Sequence, residues 1–494
     1  MQVSNEQASY VCRSCKIRKR KCNKALPTCS SCAKKNIPCE YIQPEPSGSS
    51  ISASASDPWW LGSREHNQPG IHSIDFPTLA FLDPGFLRHG QVEFERAASP
   101  VPAHIMHLLG DMDEMHDTAA RFFKHIHRWM PFISKKRFYE LHLQPAFSTQ
   151  PSVVLLLLSL KLITTILPAR SGPRSALYHA VKYFYLEVEG SSGISILVPQ
   201  AGILIALYEL GHGIYPAAFL SIGACARYAH ALGVGVNRTV YTTKVLTLVE
   251  AEERRRLWWA IVILDRFVSI GCPGRPFATA DPQLDDLLPA DDSAWDQGIV
   301  RPDEFFALSS PLAGHMSKFA LLCQAARLLG QVLHDVSSES TTDDGVWMQL
   351  DRTLQSMLAA ALNLDSPDHD QIAFVYSALV ALHTTRLPSE RAITQDTDRT
   401  RCARAVIQQI TDRISANLVE RQCFAGRDPE DMSPWGLFFA YRVCVSHTHC
   451  PQETASSQEV VRSIKEAFLA INTRWNVAGV YLQLLEAQEV VTRF

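Results

Sequence analysis

Six cysteines fall within the 28 residues CRSCKIRKRKCNKALPTCSSCAKKNIPC, Cys12 to Cys39. Thiolates at such short spacing are metal ligands, and zinc is the metal that takes four of them in a tetrahedron. The spacing is Cys12-x2-Cys15-x6-Cys22-x6-Cys29-x2-Cys32-x6-Cys39, so C-x2-C-x6-C occurs twice with an offset of 17 residues. Each C-x2-C sets two sulfurs on one side of a helical turn. One tetrahedral zinc would strand two thiols, and two separate zincs would need eight. Two zincs sharing two thiolates need six, the number present. The symmetry of the repeat makes its equivalent first cysteines, Cys12 and Cys29, the shared pair. One ion then takes Cys12, Cys15, Cys22 and Cys29; the other takes Cys12, Cys29, Cys32 and Cys39.

A peptide this short cannot bury an apolar core of its own, so metal binding and folding are expected to be one event. Pro27 shapes the loop between the halves, and a cis bond there is compatible with that role. The halves differ in charge. The first carries Lys16, Arg18, Lys19, Arg20 and Lys21, with Lys24 just after; the second carries Lys34 and Lys35. Residues 1–41 hold nine Lys/Arg against Glu6 and Glu40, a net of +7 in a chain whose overall charge is −3. A basic head on an acidic body points to a polyanion partner, with the first arm facing it. Basic side chains there can contact phosphates and reach guanine edges in the major groove.

This head resembles the six-cysteine binuclear zinc cluster of fungal transcription factors in all six cysteines, the basic first arm and the loop proline. The resemblance implies two Zn2+ per chain and double-stranded DNA as partner. It places Arg18 and Lys19 at the positions that read a CGG-type triplet and Lys16, Lys21 and Lys24 against phosphates. Position 18 is often Lys in the family; Arg keeps the charge and shifts base preference. The run KIRKRK can also serve nuclear import, and the expected location is the nucleus.

The elements that must carry and control this head occupy the rest of the 494 residues. Hydrophobic residues make up 46% and charged residues 20%, a globular composition that excludes a wholly disordered or fibrous chain. The N-terminus has no apolar signal segment, and the run Val153–Leu167 is short of a membrane span and carries Lys161. The expectation is a soluble, intracellular protein without a membrane partner. Its thiols then stay reduced, which argues against a disulfide framework. Residues 42–58 hold six Ser and three Pro without apolar periodicity, a linker composition. The fold class expected is a small metal-stabilised binuclear zinc-cluster domain (10–41), a disordered linker (42–100) and a large all-α regulatory domain (101–494).

The helical periodicity predicts helices over 153–167, 201–211, 217–232 (Pro216 at its first turn), 250–270, 312–336, 346–362, 372–384, 399–418, 435–445 and 458–473, with a last one toward Phe494, arranged in one or two subdomains. Trp258 and Trp259 are read as core, and Arg275 as a residue holding its loop by hydrogen bonds. The stretch EERRRLWWAIVILDRFVSIGCPGRPFATADPQLDDLLP resembles the fungal-specific transcription factor domain, also called the middle homology region. HIHRWMPFISKKRFYELH is similar to its start in regulators of secondary-metabolite gene clusters. The function this implies is a DNA-binding regulator of RNA polymerase II genes.

SIDFPTLAFLDPGFL, Ser73–Leu87, has the aromatic-acidic make-up of a contact for coactivators or the transcription machinery; strapping onto its own helical domain is the equal alternative. The acidic run around Asp285, Asp286, Asp291 and Asp292 is read as structural. No heptad persists between Ile42 and Pro100, so the protein either binds one half-site alone or forms a homodimer through the helical body. No G-x-S-x-G, H-E-x-x-H or Walker pattern is present, and Gly233-Val234-Gly235 lacks the rest of a dinucleotide fingerprint. The chain is therefore not read as an enzyme. The alternative is a small-molecule effector receptor in which the zinc head serves only to target a ligand-sensing helical body to DNA.

Overall fold

The structure, a computed structural model, describes residues 8, 11–41, 82, 100–144, 149–168, 172–190, 194–235, 246–301, 305–310, 316–337, 344–363, 369–384, 398–419, 429–448 and 455–492. Most of the expected linker, all of Ser73–Leu87 except Leu82, and Cys450 lie outside them. Contacts divide the chain into two units, residues 1–72 and 73–494.

The first unit holds two short helices, α1 (Arg13–Ile17) and α2 (Ser30–Ala33). Its buried residues are Cys12, Cys15, Cys29 and Cys32, with Cys22, Cys39 and Tyr41 packed against them. The sulfurs stand where an apolar core would be.

The second unit is helical, and among its described residues the sole β-type pairing is an isolated bridge between Leu287 and Ala307. It begins with α3 (Ala103–Leu109), α4 (Met112–Arg121), α5 (Lys135–Arg137) and α6 (Pro151–Thr164). Helices α7 (Ala176–Glu189), α8 (Leu197–Gly211), α9 (Ala217–Ala231) and α10 (Leu248–Val268) follow. After α11 (Asp292–Asp296) come α12 (Lys318–Ser337), α13 (Asp344–Leu362), α14 (His369–Thr384) and α15 (Asp398–Val419). The chain closes with α16 (Trp435–Thr448), α17 (Ala455–Ile471) and α18 (Val477–Thr492).

Helix α6 starts with Pro151 in its first turn, where the missing N–H costs nothing, and its apolar circumference is buried almost all round. Helix α8 is buried at every residue and packs on α6 and α9. Helix α14 is the matching centre of the C-terminal half, between α12, α13 and α16. Helix α10 joins the halves, touching α8 and α9 on one side and α12 on the other. One hydrophobic cluster runs from Ile105 to Leu485, so the body is a single unit and not two subdomains. Burying Glu209 inside α8 is tolerated because Tyr178 OH donates to it (2.7 Å), Ser221 Oγ donates to its other oxygen and Lys182 Nζ stands at 2.9 Å.

Two sequence expectations shift. Pro216 precedes α9, after a cis Tyr215–Pro216 bond, instead of lying in its first turn. Trp259 is buried, but Trp258 is half-buried and lies on Gly235, whose backbone has φ 77° and leaves no room for a Cβ beside the indole. Helices α4 and α7 were not legible as separate periodic segments.

Candidate metal centre and nucleic-acid interface

Cys12 and Cys29 are the N-cap residues of α1 and α2, both extended (φ −66°, ψ 152° and φ −68°, ψ 149°). A C-x2-C on such a cap puts the first sulfur at the helix entrance and the second three residues on, over the same turn. The Cys32 backbone N–H donates to Cys29 Sγ (3.4 Å). Burial acts to raise the Cys29 thiol, but the Cys32 N–H and neighbouring thiols outweigh it and bring it down to about 6. Burial pushes the Cys12 thiol well up.

The four thiols of Cys12, Cys15, Cys29 and Cys32 lie within 4.8 Å of one another. Sulfur separations are 3.7 Å for Cys12–Cys29, 3.7 Å for Cys12–Cys32, 3.6 Å for Cys15–Cys29 and 3.8 Å for Cys12–Cys22. A zinc tetrahedron with Zn–S near 2.3 Å has an edge of about 3.8 Å. These four pairs are therefore edge-length, and each is an edge of the two-ion arrangement that shares Cys12 and Cys29. Cys15–Cys32, at 3.9 Å, is also edge-length, although that arrangement assigns those thiols to different ions. Cys39 Sγ accepts from the Cys29 N–H at 3.2 Å. The donor set fits zinc.

The 17-residue repeat is visible atom by atom. In each arm a backbone N–H donates to the carbonyl of the second cysteine: Arg20 to Cys15 (3.0 Å) and Ile37 to Cys32 (3.2 Å). Before it, one residue turns left-handed, Lys19 (φ 47°) in the first arm and Asn36 (φ 53°) in the second. Asn tolerates this conformation; Lys carries its Cβ cost. The arms cross-link through Ser14 Oγ donating to the Pro38 carbonyl (2.6 Å) and the Ser30 N–H donating to Asn23 Oδ1 (2.9 Å). The Leu26–Pro27 bond in the connecting loop is cis.

Lys16, Arg18, Lys19, Arg20 and Lys21 are exposed, and Lys24 is half-buried at φ 58°. Only Lys16 of the five DNA-contact candidates lies on α1; Arg18 caps its C-terminus and Lys19 leaves it through the left-handed turn. Sequence reasoning missed this turn, though aligning the two arms would have paired Lys19 with Asn36.

In the body, the RRRLWW segment opens a buried ion-pair hub. Arg256 is fully enclosed: its Nε donates to Glu252 (2.9 Å), and its Nη atoms donate to Asp292 (2.9 Å), the Pro131 carbonyl (3.1 Å) and the Ala290 carbonyl (2.8 Å). Asp292 also accepts from the Phe319 N–H, and Asp291 caps α11, so these acids are structural. Glu253, protonating less readily than it would if unpaired but raised above the usual carboxylate range by burial, accepts from Ser134 N–H, Arg137 and Gln200. One turn before the helix ends, Asp265 accepts from Thr279 N–H (2.9 Å) and Thr279 Oγ1 (2.7 Å), while Arg266 reaches Asp281 (3.0 Å) and stacks on Phe277 (3.9 Å). Asp265 and Arg266 thus hold residues 277–281, the segment that follows Gly274-Arg275-Pro276. Arg275 does not: it is exposed, and its described contact is with the Phe219 ring at 5.8 Å.

Comparison with known proteins agrees with this division. Residues 10–48 match the fungal Zn(2)-Cys(6) binuclear cluster domain, and residues 119–362 the fungal specific transcription factor domain. The chain is 35% identical over 167 residues to "Transcription factor BOA15" of Botryotinia fuckeliana, covering 33% of this chain and 92% of that protein. It is 43% identical over 56 residues to "Arabinolytic transcriptional activator araR" of Emericella nidulans, 11% of this chain and 7% of that one. It is 26% identical over 188 residues to "Pigment biosynthesis transcriptional activator pigB" of Monascus ruber, 36% of this chain and 34% of that one. The matches thus span most of the first relative and about a third or less of the other two. Both matched domains and these relatives are transcription factors, not enzymes. No helix among the described residues is long and apolar enough to cross a membrane.

Proposed function

The chain belongs to the fungal Zn(2)-Cys(6) cluster transcription factors, and on that premise we propose that it is a zinc-dependent, sequence-specific regulator of RNA polymerase II genes that reads CGG-type triplets in the nucleus. The observation that carries this reading is the pair of cysteine arms with edge-length sulfur separations, one arm presenting a run of exposed Lys and Arg.

Cys12, Cys15, Cys22, Cys29, Cys32 and Cys39 would hold two Zn2+, Cys12 and Cys29 bridging. The metal would supply the crosslink that a core of this size cannot. Residues 10–41 then act as the DNA-binding domain, 42–100 as linker and 101–494 as the regulatory domain. Lys16, Lys21 and Lys24 would neutralise phosphates and fix the register. Arg18 and Lys19, at the end of α1, would reach base edges, where each good pairing discriminates by about 1–3 kcal/mol. The name of the Monascus relative and the HIHRWMPF stretch support a secondary-metabolite gene cluster as the target. Fluorescence anisotropy of the full chain on a CGG-containing duplex and on one with the triplet altered tests the reading. Equal affinity for the two sinks it. Sedimentation of the same complex separates a monomer on one half-site from a homodimer.

A further inference from the structure

A cavity of about 420 Å³ opens beside the end of α10, between the turn that follows it and helices α14, α16 and α18. Polar and apolar atoms share its walls almost equally, with the rings of Phe267, Tyr441 and Tyr481 and the side chain of Leu437 on the apolar side. Two guanidiniums meet it, Arg442 on α16 and Arg275 at the mouth. None of the described lining residues is acidic. Arg442 donates to Thr384 Oγ1 (2.9 Å) and has no carboxylate partner among the described residues. The buried Arg256 and Arg266 contrast with it, each being matched to two carboxylates. Burial lowers the affinity of Arg442 for its proton.

A concave site that sets aromatic rings beside converging polar groups can hold a small molecule, and a guanidinium in it selects a planar oxyanion. Arg275 is exposed and its described contact is with the Phe219 ring, while Arg266 and Asp265 anchor the segment just after it, residues 277–281. We propose that this cavity is an effector site for an aromatic carboxylate, whose carboxylate is taken by Arg442 and Arg275 and whose ring lies among Phe267, Tyr441 and Tyr481. The ligand would tie the segment after α10, inside the region matching the fungal specific transcription factor domain, to α14, α16 and α18 beyond it. The inference deepens the regulatory role assigned to residues 101–494 and rests on it.

The test uses the full zinc-loaded chain. Melting is followed with cinnamate, naphthalene-2-carboxylate and indole-3-acetate, each beside its neutral amide, and DNA anisotropy is read on the same samples. At least one carboxylate should raise the melting temperature with saturation, and its amide should not. Arg275→Ser, at an exposed position, and Arg442→Met should each raise the dissociation constant at least tenfold. No shift with any carboxylate, equal shifts with acid and amide, or wild-type affinity in Arg275→Ser overturns the site. DNA binding without a carboxylate response removes the effector site alone. A carboxylate response without DNA binding removes the DNA-regulator reading and leaves the pocket.

Discussion

Lys19 concentrates two roles in one residue, and substitutions can separate them. Its backbone is left-handed (φ 47°) and its side chain is exposed beyond the end of α1. A non-Gly residue in this conformation costs roughly 1–2 kcal/mol, less for Asn. Lys19→Asn therefore copies the residue that the second arm uses at Asn36, and keeps the turn while removing the amine. Lys19→Gly keeps the turn with no Cβ. Both should retain the wild-type zinc content. On a CGG duplex both should lose affinity, and against an altered triplet they should lose little. The discrimination ratio should fall by about 1–3 kcal/mol, or 5- to 150-fold. Lys19→Ala, whose Cβ carries the same cost as that of Lys, should show the same loss at near wild-type stability, with Lys19→Asn and Lys19→Gly the more stable pair. The assay is anisotropy on the two duplexes at fixed salt. If Lys19→Asn weakens both duplexes equally, Lys19 is a phosphate contact and the base-reading assignment is wrong. If Lys19→Asn loses zinc while Lys19→Gly does not, the equivalence of the two arms fails.

Elemental analysis should return two zincs per chain, with loss of DNA binding on chelation; one zinc would favour a single tetrahedron of Cys12, Cys15, Cys29 and Cys32. With three phosphates neutralised by Lys16, Lys21 and Lys24, log K should fall with log salt at a slope of about −2.7, and a flat response would refute the docking face. Arg256→Met leaves Glu252 with Arg255 as its remaining cation but strips the Pro131 and Ala290 carbonyls of their donor, and should cost the helical body about 1–3 kcal/mol in urea denaturation, whereas no measurable loss would mean that the hub is dispensable. His212 is held down to about 4 by burial, so the unfolded chain takes up its proton first as pH falls. That stabilisation is complete above about 6.5 and drains away toward 4, about 2 kcal/mol being lost by pH 5; His212→Gln should flatten this part of the profile.

The zinc head could be read from the chain alone because its determinants are local. Thiol number and spacing within 28 residues decide which sulfurs can share an ion, and the offset of 17 residues decides the symmetry. The helices of the body were legible for a similar reason, since α6, α8 and α14 are apolar enough to be buried on almost every side. Tertiary structure decided what depends on distant partners. Nothing near Arg256 in the chain announces the Pro131 and Ala290 carbonyls that enclose it. The pattern around Arg275 does not announce that its side chain is left exposed while Asp265 and Arg266 anchor residues 277–281. Nor does α16 by itself show that Arg442 faces a cavity with no acid among its described walls. Periodicity reports that a side chain is buried; only the packed chain settles whether a buried charge has found its counterion, because in the low-dielectric interior that pairing depends on which elements are packed together and not on the local pattern.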